Sequence, residues 1–368
     1  MKPHIGFVLE QMLGHVAYGM SLRRSLAQRT DIECTWLEVS SDLGEFRRLS
    51  AMGRNWTFRG SLRAWRSIRK VHRARPLDAL MIHTLTISFF SGGLMRRIPT
   101  LLSLDATPAN YDELARSYGH RVHPAPVEHV KRLARRSVMR HAKWYTTWSQ
   151  WAKDSLEQDY GVDARRVTVL PPGTTISAFP DPRLRGARRP GPLRLLFVGG
   201  DFERKGGDLL LDVHRKHLQG ACELHLVTGA SIDTYEGVYV YNGLKPHSPQ
   251  LLQLYADADV FVLPTRGDCL AVVLGEAMAS GLPVITTRVG AHAEAVEEGR
   301  SGFVIEADDA AALRDRLERL ARDPPLAARM GLRSREIAEE RFDMDKNANR
   351  IADLLVDMAR RPSSVAGA

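Results

Sequence analysis

Short, continuously apolar runs, each followed by a stretch of helical periodicity, constrain the fold of this chain more than any other feature. In the first half these runs are IGFVL at 5–9, DALMIH at 78–83 and PTLLSL at 99–104. In the second they are LRLLFV at 193–198, CELHLV at 222–227, VYVY at 238–241, VFVL at 260–263 and PVIT at 283–286. An apolar run without alternation reads as a strand buried on both faces, which belongs to a parallel sheet covered by helices. Helical patterns at 18–28, 207–217 and 310–321 supply the crossovers. The pattern breaks near 167–173, and residues 176–192 are rich in Pro, Arg and Gly. We therefore expect an α/β chain of two doubly wound, Rossmann-like domains, 1–175 and 193–344, joined by a linker at 176–192. A ligand would sit between them, in a central cleft at the carboxyl ends of the strands. A C-terminal helix, about 345–362, is expected to pack back on the first domain.

A chain of 368 residues, 44% hydrophobic and 26% charged, has room for two such cores. No stretch approaches the roughly 18 uninterrupted apolar residues of a membrane span, and the N-terminus leads into a strand-like run rather than a secretory segment. A cytoplasmic location is expected. Cys34, Cys222 and Cys269 are widely spaced and form no C-x-x-C pair, so neither a disulfide framework nor a zinc site is supported. The formal charge of +9 is uneven: residues 1–175 hold 27 Lys+Arg against 15 Asp+Glu, and the remainder is net negative. That basic excess sits in no recognised nucleic-acid module, and no nucleic-acid partner is expected. Residues 61–75 and 129–143 read as basic amphipathic helices able to dock on anionic lipid. The competing reading turns their apolar stripes to the core and leaves the charges solvated.

The stretch GDCLAVVLGEAMASGLPVITT, 267–287, sets two carboxylates eight residues apart in an otherwise small and apolar run. It follows the buried strand VFVL, so its loop leaves a carboxyl strand end and enters a helix over about 270–280. The first turn, at Leu270, Ala271 and Val272, would offer unpaired backbone N–H groups and small or apolar side chains, a seat for a phosphate. Glu276, on the next turn, leans back toward that end. Asp268 stands at its mouth. The competing readings are a helix cap for Asp268 and a solvated helix acid for Glu276. A second loop, FVGGDFERKGG at 197–207, would extend Arg204 and Lys205 toward the same place, where a diphosphate leaving group needs positive charge. A surface basic pair is the alternative.

The acid-x7-Glu spacing, the following AMA-x-G-x-PVI-x-T, and then Gly290, Glu294, Gly299 and Gly302 resemble the retaining family-4 glycosyltransferases of GT-B fold. The resemblance covers most of residues 190–345. It implies that Glu276 binds the ribose hydroxyls of a nucleotide-sugar and that Asp268, with adjoining backbone N–H groups, binds the transferred sugar. Asp268 stands where relatives carry Glu, and Gly200 where they carry the arginine that Arg204 would replace. Lys205 is the firmer diphosphate ligand. The resemblance also makes Val240 and Tyr241 candidate base contacts and gives Gly14 the place of the family's glycine-rich loop. It gives Asp105 the place of a cleft histidine, with His120 and His15 as further candidates. The aromatic residues of 144–156 read as core. Asp257 and Asp259 imitate an Asp-x-Asp metal motif but precede their strand, at the sheet edge away from the cleft.

The reading is a metal-independent retaining glycosyltransferase whose only nucleotide is its donor, a nucleotide diphosphate-sugar, with no cofactor and an undefined acceptor, a glycan, lipid or small molecule. A same-fold epimerase or inverting transferase, which would need a general base, is one rival. A non-catalytic nucleotide-sugar sensor or a nucleic-acid-binding protein is another.

Overall fold

The computed structural model describes residues 1–12, 14–44, 55–119, 124–184 and 190–360. Two six-stranded sheets, each wholly parallel, organise them. The first runs β2-β1-β3-β4-β5-β6, with β1 His4–Gln11, β2 Glu33–Ser40, β3 Ala79–His83, β4 Thr100–Leu104, β5 Trp144–Thr147 and β6 Val167–Val169. The second runs β12-β11-β10-β7-β8-β9, with β7 Leu193–Val198, β8 Cys222–Val227, β9 Val238–Tyr241, β10 Val260–Leu263, β11 Val284–Thr287 and β12 Gly302–Ile305. The chain divides into two compact units: residues 1–112, 121–171 and 345 onward form the first, and 113–120 and 172–344 the second. His120 lies outside the described residues.

In the first unit Val8, Leu80, Ile82, Leu102, Leu104 and Tyr145 join helix residues Ala64, Ile68 and Leu156 in one buried cluster. Tyr145 is core as its sequence context suggested. In the second, Leu195, Phe197, Leu224, Leu226, Phe261, Val262 and Ile285 are all fully buried. Strands with apolar side chains on both faces need a helical layer on each, and this is why continuous apolar runs marked them. β2, β5, β6 and β12 escaped that criterion: three of them are sheet edges, and β5, WYTT, is an interior strand whose two threonines interrupt the apolar run. An edge strand such as ECTWLEVS need not be apolar throughout.

In the second sheet the strand order reverses between β7 and β10, with every strand parallel to its neighbours. In such a sheet a crevice opens at the carboxyl ends of those two strands, where the outgoing loops turn opposite ways. The loops leaving β7 and β10 are the two that carry Arg204, Lys205 and Asp268. In the first sheet the reversal falls between β1 and β3, beside Gly14 and His83.

Candidate functional site

After β10 the chain forms the loop 264–271 and enters the helix Val272–Ala279, two residues later than the sequence suggested. Ala271 is the N-cap and no side chain caps the helix. Asp268 is therefore not a cap; its Oδ1 accepts the N–H of Cys269 at 3.0 Å. Its Oδ2 takes the Lys205 ammonium in a direct ion pair. Burial, with the Arg204 charge beside it, pushes Lys205 down from its usual value to about 7. Arg204 is held by three partners: Asp201 Oδ2 at 2.9 Å, the Gly267 carbonyl at 2.5 Å, and the Tyr118 ring, 4.9 Å below its guanidinium. Neither cation is a free surface charge. Two glycines permit this fit. Gly206 has φ +76°, and a Cβ there would fall 2.0 Å from the Pro264 carbonyl oxygen; Gly290 has φ +53°, and a Cβ would fall 2.2 Å from that of Asp268. A side chain at either position would part the loops.

One expectation for the helix tip is corrected. The Ala271 N–H is not unpaired: it donates to His292 Nε2 at 3.3 Å. His292 is fully buried, and desolvation lowers it to about 3, so it is neutral. Its Nδ1 bonds Thr286 Oγ1 at 2.8 Å, and that hydroxyl donates to the Leu263 carbonyl at 3.0 Å. The proton is thus on Nδ1, and a chain of hydrogen bonds ties the helix start to β10 and β11. Leu270 and Ala271 are buried, and Val272 is half-buried. The first-turn amides of Val272 and Val273 have no intrahelical acceptor and keep the character of an anion seat. Sequence reasoning missed His292, which follows Gly290 inside the motif.

Glu276 is buried and is not a solvated helix acid. Its Oε2 accepts the Tyr255 hydroxyl at 2.8 Å, and Oε1 lies 3.8 Å from His247 Nε2. Desolvation raises the carboxyl, while the bond from Tyr255 and the charge of His247 oppose that rise. Burial next to the carboxylate drives the Tyr255 phenol well above its ordinary value, so it stays a donor. Phe179 packs edge-on against both, with ring centroids 6.1 Å from His247 and 5.7 Å from Tyr255. Val240 is half-buried on edge strand β9, and Tyr241 gives its hydroxyl to a bond with His225 Nδ1 at 3.0 Å. Asp259 accepts the Arg194 N–H and Asp257 the Gln253 amide, both at 2.9 Å, at the amino ends of the strands.

The first unit gathers a second polar cluster at its strand ends. His15 Nδ1 lies 2.9 Å from His83 Nε2, and His83 Nδ1 lies 3.0 Å from Ser103 Oγ. Burial and the adjacent His15 hold His83 well below its ordinary value. Asp105 Oδ2 accepts the Tyr111 hydroxyl at 2.6 Å, with His15 Nε2 at 3.7 Å. Trp148 stacks on His83 with centroids 5.4 Å apart, and burial pushes Tyr18 beside them up to about 12. Gly14 opens the helix Gly14–Leu26 that carries His15. Glu10, also buried, accepts the Trp56 indole and the Thr84 hydroxyl, each at 2.5 Å; Thr84 adopts φ +86°. In the sequence His83 reads only as the end of a strand and Glu10 lies just past the run 5–9, because nothing local shows which strand ends will adjoin.

Residues 192–323 match the family described as Glycosyl transferases group 1, and residues 18–173 match the Glycosyl transferase 4-like domain. A D-inositol 3-phosphate glycosyltransferase of Pseudarthrobacter chlorophenolicus is 31% identical over 201 residues, 48% of this chain and 47% of the relative. A GDP-mannose-dependent alpha-(1-6)-phosphatidylinositol monomannoside mannosyltransferase of Mycolicibacterium smegmatis is 28% identical over 267 residues, 66% of this chain and 69% of the relative. The chain thus spans about half the length of the first of these relatives and rather more of the second. Among solved structures, sucrose-phosphate synthase of Thermosynechococcus elongatus superposes with a TM-score of 0.77 at 18% identity, covering 97% of this chain and 99% of that one. Anabaena HepE in complex with UDP-glucose gives 0.67 at 18% identity, covering 96% and 99%.

Proposed function

This chain belongs to the family-4 glycosyltransferases of GT-B fold, and from that membership we propose that it moves a sugar from a nucleotide diphosphate-sugar to an acceptor hydroxyl, with retention and without a divalent metal. The observation that carries this reading is the Lys205–Asp268 pair at the strand-order reversal, beneath a helix start whose next turn bears the buried Glu276. As the glycosidic bond breaks, negative charge grows on the departing diphosphate. Lys205, Arg204 and the Val272 and Val273 amides are fixed donors for that charge, and they need no rearrangement as it forms. Glu276 would accept the ribose hydroxyls, with Tyr255 fixing its orientation. Asp268 would take hydroxyls of the transferred sugar, and Asp105 those of sugar or acceptor. Val240 and Tyr241 remain proposed base contacts.

UDP and GDP are the first nucleotides to test, since one similar structure holds UDP-glucose and one relative is GDP-mannose-dependent. Thermal shift against UDP-, GDP-, ADP- and dTDP-sugars identifies the donor. NMR of the product then reads the anomeric configuration, and turnover in EDTA reads the metal requirement. An inverted product, or activity abolished by EDTA and restored by Mg²⁺, would overturn the corresponding part of the proposal. The His15–Asp105 pair favours one second reading, an inverting transferase with a histidine base, and the same NMR measurement decides between them.

A further inference from the structure

The helix Ala125–Met139 anchors its last turn in the core through Val138 and Met139, but over its first three turns it presents apolar residues outward. Val127, Val130 and Leu133 are 43%, 65% and 52% exposed. On the half-buried side lie Glu128 and the Lys131 ammonium that it accepts at 2.8 Å, with Arg135 at 3.9 Å. At about 100° per residue the three apolar side chains fall within an arc of about 120°, and His129, Arg132, Arg136 and Arg140 run along one flank of it. Glu128, the helix's acid, is turned away from that arc. The helix Trp56–Ala74 is built the usual way: Ala64 and Ile68 are buried, and its apolar face belongs to the core. Of the two basic segments, only the second leaves an apolar stripe uncovered among the described residues, and such a stripe bordered by cations calls for an occupant.

We propose that the outward face of the helix Ala125–Met139 is a docking surface for an anionic lipid bilayer, with Val127, Val130 and Leu133 entering the headgroup region and Arg132, Arg136 and Arg140 meeting lipid phosphates. Three side chains on one helix are far short of the roughly 20 residues a side that a stable protein interface engages. A narrow apolar stripe flanked by arginines is instead the form of a helix lying in a membrane interface. Charge agrees, since residues 1–175 hold 27 Lys+Arg against 15 Asp+Glu. Among the described residues no helix is long and apolar enough to cross a membrane, so the contact is peripheral. This proposal stands independently of the glycosyl-transfer reading.

Flotation of the full chain with phosphatidylcholine vesicles, with and without phosphatidylglycerol, tests it. Wild type should float with the anionic vesicles alone and be released by about 0.5 M salt, where screening is nearly complete. Val130→Asp with Leu133→Asp should lower the partition constant at least tenfold. Arg132→Ala with Arg140→Ala should lower it roughly 30-fold, at about fivefold for each cation. Arg66→Ala with Lys70→Ala, on the other basic helix, should float like wild type. The proposal fails if wild type does not float with anionic vesicles at low salt, if the apolar pair floats unchanged, or if the control pair is equally impaired. Sedimentation velocity adds a further check: a wild-type dimer dissolved by the Val130→Asp, Leu133→Asp change, without vesicle binding, would assign the stripe to a second copy of the chain.

Discussion

Lys205 is where single-residue chemistry should be most visible. A buried ammonium lowered to about 7 is protonated below that pH and neutral above it. Only the protonated form attracts a diphosphate, so kcat/KM for the donor, which reports the free enzyme, should fall tenfold per unit as pH rises past about 7. Bound diphosphate favours the charged lysine, so kcat should hold to higher pH. Lys205→Arg should remove the alkaline limb from kcat/KM; its persistence would assign that limb to another group. Glu276→Ala should cost about 1.5–3 kcal/mol of nucleotide affinity per hydrogen bond lost, measurable by calorimetry with the nucleoside diphosphate. Tyr255→Phe removes the hydroxyl that donates to Glu276 Oε2 and should raise the donor KM more than it lowers kcat. If Glu276 is merely structural, Tyr255→Phe will lower the melting temperature and leave KM unchanged.

At the scale of elements, the helix Val272–Ala279 is anchored through neutral His292 and Thr286 to β10 and β11. The sign of the resulting pH dependence follows from the lowered value. Below about 6.5 the unfolded chain protonates this histidine while the folded protein resists to about 3. Stability present above 6.5 is therefore lost as pH falls, by about 1.4 kcal/mol per unit. Denaturant unfolding of wild type and His292→Gln should show a difference that shrinks by roughly 2 kcal/mol between pH 6.5 and 5. A difference independent of pH would mean that His292 takes up its proton as readily in the fold as in the unfolded chain. Gly290→Ala would force a left-handed alanine, at about 1–2 kcal/mol, against the Asp268 carbonyl oxygen. It should weaken nucleotide binding as well as stability, because the displaced peptide carries Asp268.

For the whole molecule, the C-terminal helix Met344–Arg360 is informative, since from Asp345 it belongs to the first unit although it follows the second in sequence. Ser25 Oγ donates to Asp345 at 2.5 Å, Arg29 bonds Asn349 and Asp353 at 3.1 and 2.9 Å, and Ile351 and Leu355 are buried. Deleting residues 345–360 should raise amide exchange in the helix Gly14–Leu26 and leave the helix Val272–Ala279 protected. Equal loss of protection in both would show the units to be one cooperative block.

What the sequence settles by itself is periodicity and local chemistry. Uninterrupted apolar runs mark strands, and VFVL or LRLLFV announces one covered on both faces, whereas VYVY shows that such a run can also lie at an edge and ECTWLEVS, another edge, carries no such signature. The spacing of Asp268 and Glu276, and the basic loop at 204–205, were legible because each depends on neighbours a few positions away. Which distant groups meet them was not. His292 under the helix tip, Tyr255 against Glu276 and His83 between His15 and Ser103 are set by strand order and register. The outward turn of Val130 and Leu133 is of the same kind: 100° periodicity gives a helix two faces, but only packing decides which face is covered.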